Sequence, residues 1–547
     1  LAREGESFLT KTLPAFGKAI DLALQGHIPL ATLAFKKKRG SALPVFLQAL
    51  LRRVFSDEGW VLDAPCHTSI RLLRQICLWC KKIEKGYSDE SLRKAILDFK
   101  EVDGGLPGED FVFPPRLLGP ARAVVHSIFG TCPGLGAILP RHGPGSVAGG
   151  EGVVGKRRLQ HCFIDLERVF RPVPFFFSLR DVAESPQLVT DRPRCQFGLS
   201  RTEFVEKDSG GPRTIGLEHA EYMWCQQAIK AWMYNHIEKC SKAKGHINFT
   251  DQSINRELTV KWKDYDTLDM SKASDRLSYA LVHALFKGLP LWQWLAASRS
   301  PGTVLPTGEL LWFKKFAPMG SAVCFPVEAV VFYALAVSAL HSTGMPIQLA
   351  CRSVYVYGDD LIVPHGYFEV LKKHFEACSL KFNEDKCCTH GKFRESCGMD
   401  SFDGTDVTPA RMRKMYPGTD ATGLIPIVEH SNSLMRRGYG FSAVALRDSA
   451  MAHFKQLKEL RLPYSQRDLP ILYWYDPVLP ETVRFKTRDG ITQVKGWYFR
   501  PLGLEGEADY EKMYLRESLS RGGPVGWLRG PQPVVRVLDA KYSGVLR

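Results

Sequence analysis

Two adjacent carboxylates, Asp359 and Asp360, follow Gly358 between Tyr355-Val356-Tyr357 and Leu361-Ile362-Val363. Both flanking runs favour strands and glycine favours a turn, so the segment reads as a hairpin with two acids at its tip. Side by side, like charges repel. A hard divalent cation such as Mg²⁺ turns that repulsion into a binding site, because it takes oxygen ligands. Gly and Asp are also ordinary turn residues, so the triplet by itself is only a candidate. Asp269, about ninety residues earlier in Thr267-Leu268-Asp269-Met270-Ser271-Lys272-Ala273-Ser274-Asp275, offers a third carboxylate. A strand is expected to end at Asp269, with Ser271 or Ser274 capping a helix that runs through Leu285. Read plainly, Asp269 is a helix-entry acid. Read chemically, the three acids suit two Mg²⁺ ions that clamp attacking and leaving oxygens in an in-line phosphoryl transfer.

Other residues fit around such a centre. Ala317-Pro318-Met319-Gly320-Ser321 reads as a tight loop feeding a helix from Val327 to Leu340, with Pro326 near its start and Glu328 in its first turn. That helix is apolar on nearly every face and is expected to be deeply buried. The loop is either a plain helix entry or a place where backbone meets a nucleotide sugar or base. Val205 to Ile215 reads strand, turn, strand, and its Lys207 and Arg213 could neutralise a triphosphate or be ordinary surface charges. Lys386 in Phe382-Asn383-Glu384-Asp385-Lys386 could protonate a leaving pyrophosphate as a general acid.

These residues need a scaffold, and 547 residues of ordinary globular composition can supply several subdomains. A net charge of +15 points to a polyanion, either nucleic acid or an anionic membrane surface. With no run of 18 or more apolar residues and no secretory signal pattern, the nucleic-acid reading gains. The chain starts at Leu1, which leaves room for a few preceding residues. Fourteen scattered cysteines suit a reducing cytosol. Cys77 and Cys80 have zinc-ligand spacing near Cys66 and His67, but they fall in an amphipathic helical pattern with buried thiols, which is the preferred reading. Cys387, Cys388, His390 and Cys397 lack ligand spacing.

Residues 1 to about 110 read as mostly helical and include the basic run Lys36-Lys37-Lys38-Arg39. From about 113 to 200, Pro and Gly become frequent and periodicity fades. Gly150 and Gly155-Lys156 nearly make a P-loop, but Arg157 stands where Ser or Thr should hold Mg²⁺ and no strand leads in. A basic loop at the surface is expected there instead.

Taken in order, the basic strand-turn-strand, the Asp-ended strand, the Gly-Ser loop, the Gly-Asp-Asp hairpin and the later lysine resemble motifs F, A, B, C and D of palm-domain RNA-dependent RNA polymerases. Phe249 to Arg256, the Asp269–Asp275 block, Gly391 to Gly398 and Gly404 to Pro409 narrow the match to replicases of levivirus-type RNA bacteriophages, continuous from about Phe204 to Arg413. The resemblance implies an α+β right-hand polymerase of fingers, palm and thumb, with an antiparallel-sheet palm. Its expected divisions are a helical region at 1–112 packing on fingers and thumb, fingers at 113–262 with motif F, palm at 263–420 (catalytic core roughly 255–390), and thumb with initiation region at 421–547.

By the same resemblance, Asp269, Asp359 and Asp360 bind two Mg²⁺ ions, with Mn²⁺ as a substitute and the Met270 carbonyl as a possible further ligand. Lys207, Arg213, Ser274, Asp275, Gly320 and Ser321 bind the nucleotide. Ser274 and Asp275 both lie within reach of its 2′-hydroxyl, and Ser321 replaces the Asn of the best-known phage enzymes. Arg394 and Glu395, in a motif E-like block, brace the palm; a surface ion pair is the plain alternative. The implied activity is template-dependent RNA synthesis from ribonucleoside triphosphates by two-metal-ion nucleotidyl transfer, replicating a positive-strand phage genome in the cytoplasm of an infected bacterium. Implied partners are RNA template and product, with host elongation factors Tu and Ts and a small-subunit ribosomal protein, and no membrane. A reverse transcriptase-like palm enzyme and a non-catalytic basic RNA-binding protein are the alternatives.

Overall fold

The structure is a computed structural model. It describes residues 4–413 apart from 33, 84–85, 144, 151–154, 158 and 209–210, then 424–453, 461–462, 473–478, 485–488, 491–496, 499–501, 535–537 and 542–546. Apolar residues at three- and four-residue intervals give the N-terminal helices α1 (Leu13–Leu24), α2 (His67–Leu78) and α3 (Asp89–Gly104). Ser88 caps α3 by accepting the Ser91 N–H at 3.2 Å, and Asp89 and Glu90 favour its positive end. Helix α2 buries Ile70, Leu73 and Cys77. Burial pushes the Cys77 thiol up to about 12 and Cys80 to about 11, as core thiols rather than thiolate ligands.

The expectation that regular structure fades after residue 113 needs correction, because α4 (Pro115–Phe129) is a full helix. Its internal Pro120 lacks the N–H that would bond the Arg116 carbonyl, so the helix rests on tertiary packing of a buried stripe, Leu118, Val124, Val125 and Ile128. Next come strands β1 (Ser200–Asp208) and β2 (Gly211–Leu217), then helix α5 (Ala220–Lys239) and strand β3 (Tyr265–Asp269).

A continuous helix after Asp269 does not form. A short α6 (Ala273–Arg276) breaks at Leu277, and α7 (Tyr279–Phe286) starts anew. Neither Ser271 nor Ser274 is the cap. Lys272, in the left-handed region at φ +53°, occupies the first cap position, while Ser278 caps α7 by accepting the Leu281 N–H at 3.1 Å. Strands β4 (Gly302–Val304) and β5 (Leu310–Trp312) complete a four-stranded sheet of order β2-β1-β4-β5, with β1 and β4 parallel and the other pairs antiparallel.

Helix α8 (Cys324–Ser342) begins three residues before the expected Val327, so Glu328 lies in its second turn rather than its first. Pro326 is tolerated inside the helix because first-turn N–H groups have no intrahelical partner. By length and hydropathy α8 could cross a membrane, but it is a core helix packed on α4 and on α9 (Phe368–Glu376).

Strands β6 (Tyr355–Tyr357) and β7 (Asp360–Pro364) pair with β3 in an antiparallel sheet of order β3-β7-β6. Helix α8 covers this sheet together with the 253–259 helix and strand β8 (Phe393–Ser396). Leu361, Ile362 and Val363 are consequently 0% exposed. Each stabilises the fold by roughly 1.5–3 kcal/mol. Both sheet edges are occupied, since Thr267 and Met270 bridge to Cys388 and Phe382, and Val356 to Ile247. Strand β8 leads into β9 (Met399–Phe402) and β10 (Thr405–Asp406). Helices α10 (Leu424–Arg436) and α11 (Gly440–His453) pack together, and short strands follow them.

Candidate active site

The β3-β7-β6 sheet brings the three aspartates to one end. In the β3–β7 register Asp269 pairs directly with Asp360, while Tyr357 pairs with Asp360 to close the hairpin around Gly358 and Asp359. Gly358 has φ +64°, and a Cβ there would sit 2.1 Å from Cε2 of Phe325 on α8. Only glycine permits both the turn and that approach.

The acids differ in their surroundings. Asp269 Oδ2 accepts from Lys386 Nζ at 3.0 Å and from Asn383 Nδ2 at 3.2 Å, and its carbonyl accepts the Asn383 N–H at 2.8 Å. Asp360 Oδ2 accepts the Cys397 N–H at 3.0 Å. Burial, then the Asp359 charge, still pushes the Asp360 carboxyl up to about 7. Solvent reaches Asp359, yet surrounding protein and then Asp269 raise its pKa, against the pull of Lys386 and Arg213. Among the described residues the three carboxylates do not draw within 4.8 Å of one another; the group that does so is His161, His219 and Glu221. Two acids pushed toward protonation by burial and then by a neighbouring carboxylate, in an all-oxygen donor set, fit a hard divalent cation. Met270 is buried beside Asp269 and bridges to Phe382.

The loop before α8 packs on β2. Gly320 has φ +114°, and a Cβ there would meet the Gly216 carbonyl oxygen at 2.2 Å. Gly216 in turn donates its N–H to the Met319 carbonyl at 2.7 Å. Beside it, Ser321 is 6% exposed and its Oγ has no hydrogen-bond partner among the described residues. An orphaned buried hydroxyl is costly unless something else bonds it, and a nucleotide hydroxyl would. Arg213 lies exposed on β2, close enough for its charge to act on Asp359. Lys207 lies near the end of β1, its side chain outside the described ones, as is the 209–210 turn.

The two ribose-sensing candidates separate. Ser274 is 5% exposed within α6, whereas Asp275 is 23% exposed and accepts from Lys315 Nζ at 2.8 Å. Arg394 and Glu395 do not form a surface ion pair. Arg394 is fully buried and its guanidinium binds Asp266 Oδ1 at 3.1 Å, Tyr265 O at 2.7 Å and Trp262 O at 2.8 Å. Glu395 donates its N–H to Thr267 Oγ1 at 3.2 Å. Both therefore hold β3, the strand that ends in Asp269.

Sequence reasoning assigned no role to three groups. Glu328 is buried on α8, and burial followed by the Asp359 charge holds its carboxyl well above the usual range. Asn383 orients Asp269, and Lys315 holds Asp275. A correction concerns the glycine-rich loop: Lys156 is 3% exposed and donates to the Gly143 and Gly145 carbonyls at 2.7 Å each, so it ties the loop inward.

Residues 184–430 match the family described as RNA replicase, beta-chain. The matched stretch, a little under half of the chain, contains the three aspartates, Lys386, Asn383, Arg213, Lys207, the Gly320–Ser321 loop, Ser274, Asp275, Lys315, Glu328, Arg394 and Glu395. The RNA-directed RNA polymerase subunit beta of Qbeta virus (strain MX1) is 34% identical over 213 residues, covering 38% of this chain and 34% of that one. The beta chain of Enterobacteria phage GA is 36% identical over 169 residues, 30% of each chain, and that of Escherichia phage MS2 is 30% identical over 227 residues, covering 40% and 39%. The chain thus aligns with about a third of the length of these replicase relatives. Among solved structures, the RNA-dependent RNA polymerase of a human picorbirnavirus (an insertion-loop deletion mutant) aligns with TM-score 0.37 at 11% identity, over 69% of this chain and 86% of that one. A structure titled RdRp complex aligns with TM-score 0.44 at 10% identity, over 77% and 43%.

Proposed function

We propose that this chain is an RNA-directed RNA polymerase that joins ribonucleoside triphosphates on an RNA template to replicate a phage genome. The carrying observation is the Asp269–Asp360 pairing with Asp359 at the adjoining turn, inside the stretch that matches replicase beta chains. Asp269, Asp359 and Asp360 would hold the divalent cations, with Mg²⁺ as the expected ion and Mn²⁺ as a substitute. Bound there, two such ions would supply charge neutralisation on the triphosphate and a lowered pKa for the attacking hydroxyl.

The protein's own groups supply the rest. Gly320 keeps the loop backbone clear of side-chain bulk, and Ser321 and Asp275 offer hydroxyl partners to the ribose. Arg213 on β2 would neutralise the triphosphate, with Lys207 as the second candidate cation of this segment. Lys386 is the candidate general acid: burial alone would depress it, but the Asp269 carboxylate holds it above the ordinary lysine range, so it carries a proton at neutral pH. We read residues 113–262 as fingers, 263–420 as palm and 421–547 as thumb and initiation region. The helical region at 1–112 braces the palm, since α1 and α2 share a core with Cys388, Phe393 and Phe402. Elongation factors Tu and Ts and a small-subunit ribosomal protein of the infected bacterium are the partners this reading suggests.

The test is ribonucleotide incorporation by the purified chain on an RNA template with Mg²⁺, with and without bacterial host extract. Incorporation that is lost in Asp359→Asn, with RNA binding retained, supports the proposal. Undiminished synthesis by that variant removes the metal assignment. A preference for deoxyribonucleotides means a reverse transcriptase, and RNA binding without synthesis in either condition means a non-catalytic binding protein.

A further inference from the structure

Lys315 is a cation that water does not reach. It is 0% exposed, on the segment between β5 and the Gly320 loop. An ammonium so deeply placed costs several kcal/mol unless it is well paired, and it cannot meet a phosphate. Its Nζ donates to Asp275 Oδ1 at 2.8 Å, stands 3.9 Å from Asp103 Oδ1, and lies 3.6 Å from the Phe99 ring centroid. Asp103 and Phe99 both belong to α3, far away in sequence.

A purely structural tether is the plain explanation, but that tether already exists without Nζ. Asp103 accepts the backbone N–H groups of Lys314 and Lys315 at 3.0 Å each, and Phe99 packs with Phe313 at 6.2 Å. What Nζ adds is a fixed position for one oxygen of Asp275. The other oxygen of that carboxylate makes no hydrogen bond among the described residues, and the side chain is 23% exposed. Helix α6, which carries Asp275, packs on α8 directly after the loop where the Ser321 hydroxyl lacks a partner among the described residues.

We propose that Lys315 is a positioning residue for sugar selection: its buried ammonium fixes Asp275 so that the free carboxylate oxygen accepts the 2′-hydroxyl of the incoming ribonucleotide. The inference rests on the polymerase reading above and makes Asp275, not Ser274, the ribose reader. Helix α3 is the wall that keeps Nζ in place, so part of the sugar specificity is built from the N-terminal region.

The experiment measures single-nucleotide incorporation on one RNA template with ATP, 2′-deoxyATP and 3′-deoxyATP. A hydrogen bond to a charged acceptor corresponds to about a tenfold to hundredfold preference. Lys315→Met is expected to lower the preference for ATP over 2′-deoxyATP by that factor, through a higher KM for ATP and 3′-deoxyATP with little change for 2′-deoxyATP. Lys315→Arg, which keeps the charge, should restore part of it. Asp275→Asn should show the same loss, and the double variant no more than either. If Lys315→Met fails to fold, Phe99→Leu is read in the same assay. It leaves every charge in place, and a lowered preference is again expected. A folded, active Lys315→Met or Phe99→Leu with unchanged preference overturns this inference alone. Absence of incorporation by the wild-type chain overturns the polymerase reading and this inference together.

Discussion

Replacing Arg394 by Met should loosen the strand that carries Asp269 while leaving distant helices intact. The guanidinium is fully buried and donates to Asp266 and to the carbonyls of Tyr265, Trp262, His390, Gly391 and Phe393, all within 3.2 Å. Methionine fills much of the stem volume, so little of the loss is a cavity. What remains is Asp266, 0% exposed, whose other partners among the described residues are His365 Nδ1 at 2.8 Å and the Gly366 N–H at 3.1 Å. Breaking one side of a buried ion pair costs about 3–5 kcal/mol, because the other charge is left uncompensated. Global melting suits a multi-part chain poorly, so the assay is amide hydrogen exchange by mass spectrometry. Peptides covering β3 and β8 should lose protection on the order of 10²–10³-fold, the factor that about 3–4 kcal/mol of easier opening allows. Peptides from α11 should be unchanged. RNA synthesis should fall mainly in kcat, since Asp269 loses its fixed position. Arg394→Lys should not rescue, because one ammonium cannot serve this set of acceptors. Arg394→Met/Asp266→Asn should recover part of the protection, because the stranded charge is gone. Unchanged protection of β3, or equal loss everywhere, would refute the bracing role.

Three further outcomes follow from the same geometry. Gly320→Ala places a Cβ 2.2 Å from the Gly216 oxygen at φ +114°, so the loop must leave β2. The nucleotide KM should rise at least several-fold, with about 1–3 kcal/mol lost in urea unfolding. Asp360, pushed up to about 7, keeps its proton in the fold while the unfolded chain ionises near 3.9, so its contribution is present at low pH and lost as pH rises through about 7. Asp360→Asn should therefore match wild type near pH 4 and exceed it by roughly 1–3 kcal/mol at pH 8 without divalent ions, a gain that Mg²⁺ erases by stabilising wild type; equal stability at both pH values would count against the repulsion. Lys386→Met should lower kcat by about 10²-fold and remove the fall in rate at alkaline pH, read from a pH–rate profile.

The parts of the site that could be read along the chain are those set by local physics. Alternating β-formers around a glycine define the Gly358 hairpin, and a run of apolar residues defines α8. The caps were misread because Ser271 and Ser274 look as suitable as Ser278, and only the left-handed backbone at Lys272 decides between them. Burial of charge was the larger blind spot. In sequence, Arg394-Glu395 admits a plain surface ion pair and Lys315 draws no role, since nothing local reports that β3 covers one and α3 the other. The same blindness affects the reading of the +15 charge. Arg74, Lys315 and Arg394 are fully buried and cannot meet a polyanion, but each is matched by an acid: Asp21 and Asp400, Asp275, and Asp266. These groups therefore add nothing to the basic surplus, which falls on exposed residues such as Lys36, Lys37, Lys38 and Arg39. The total charge therefore survives as an argument for an anionic partner, while the choice of which cations serve that partner depends on burial. Variants meant to weaken RNA binding belong on exposed cations of that kind, because removing a buried one strands an acid and perturbs its local surroundings instead.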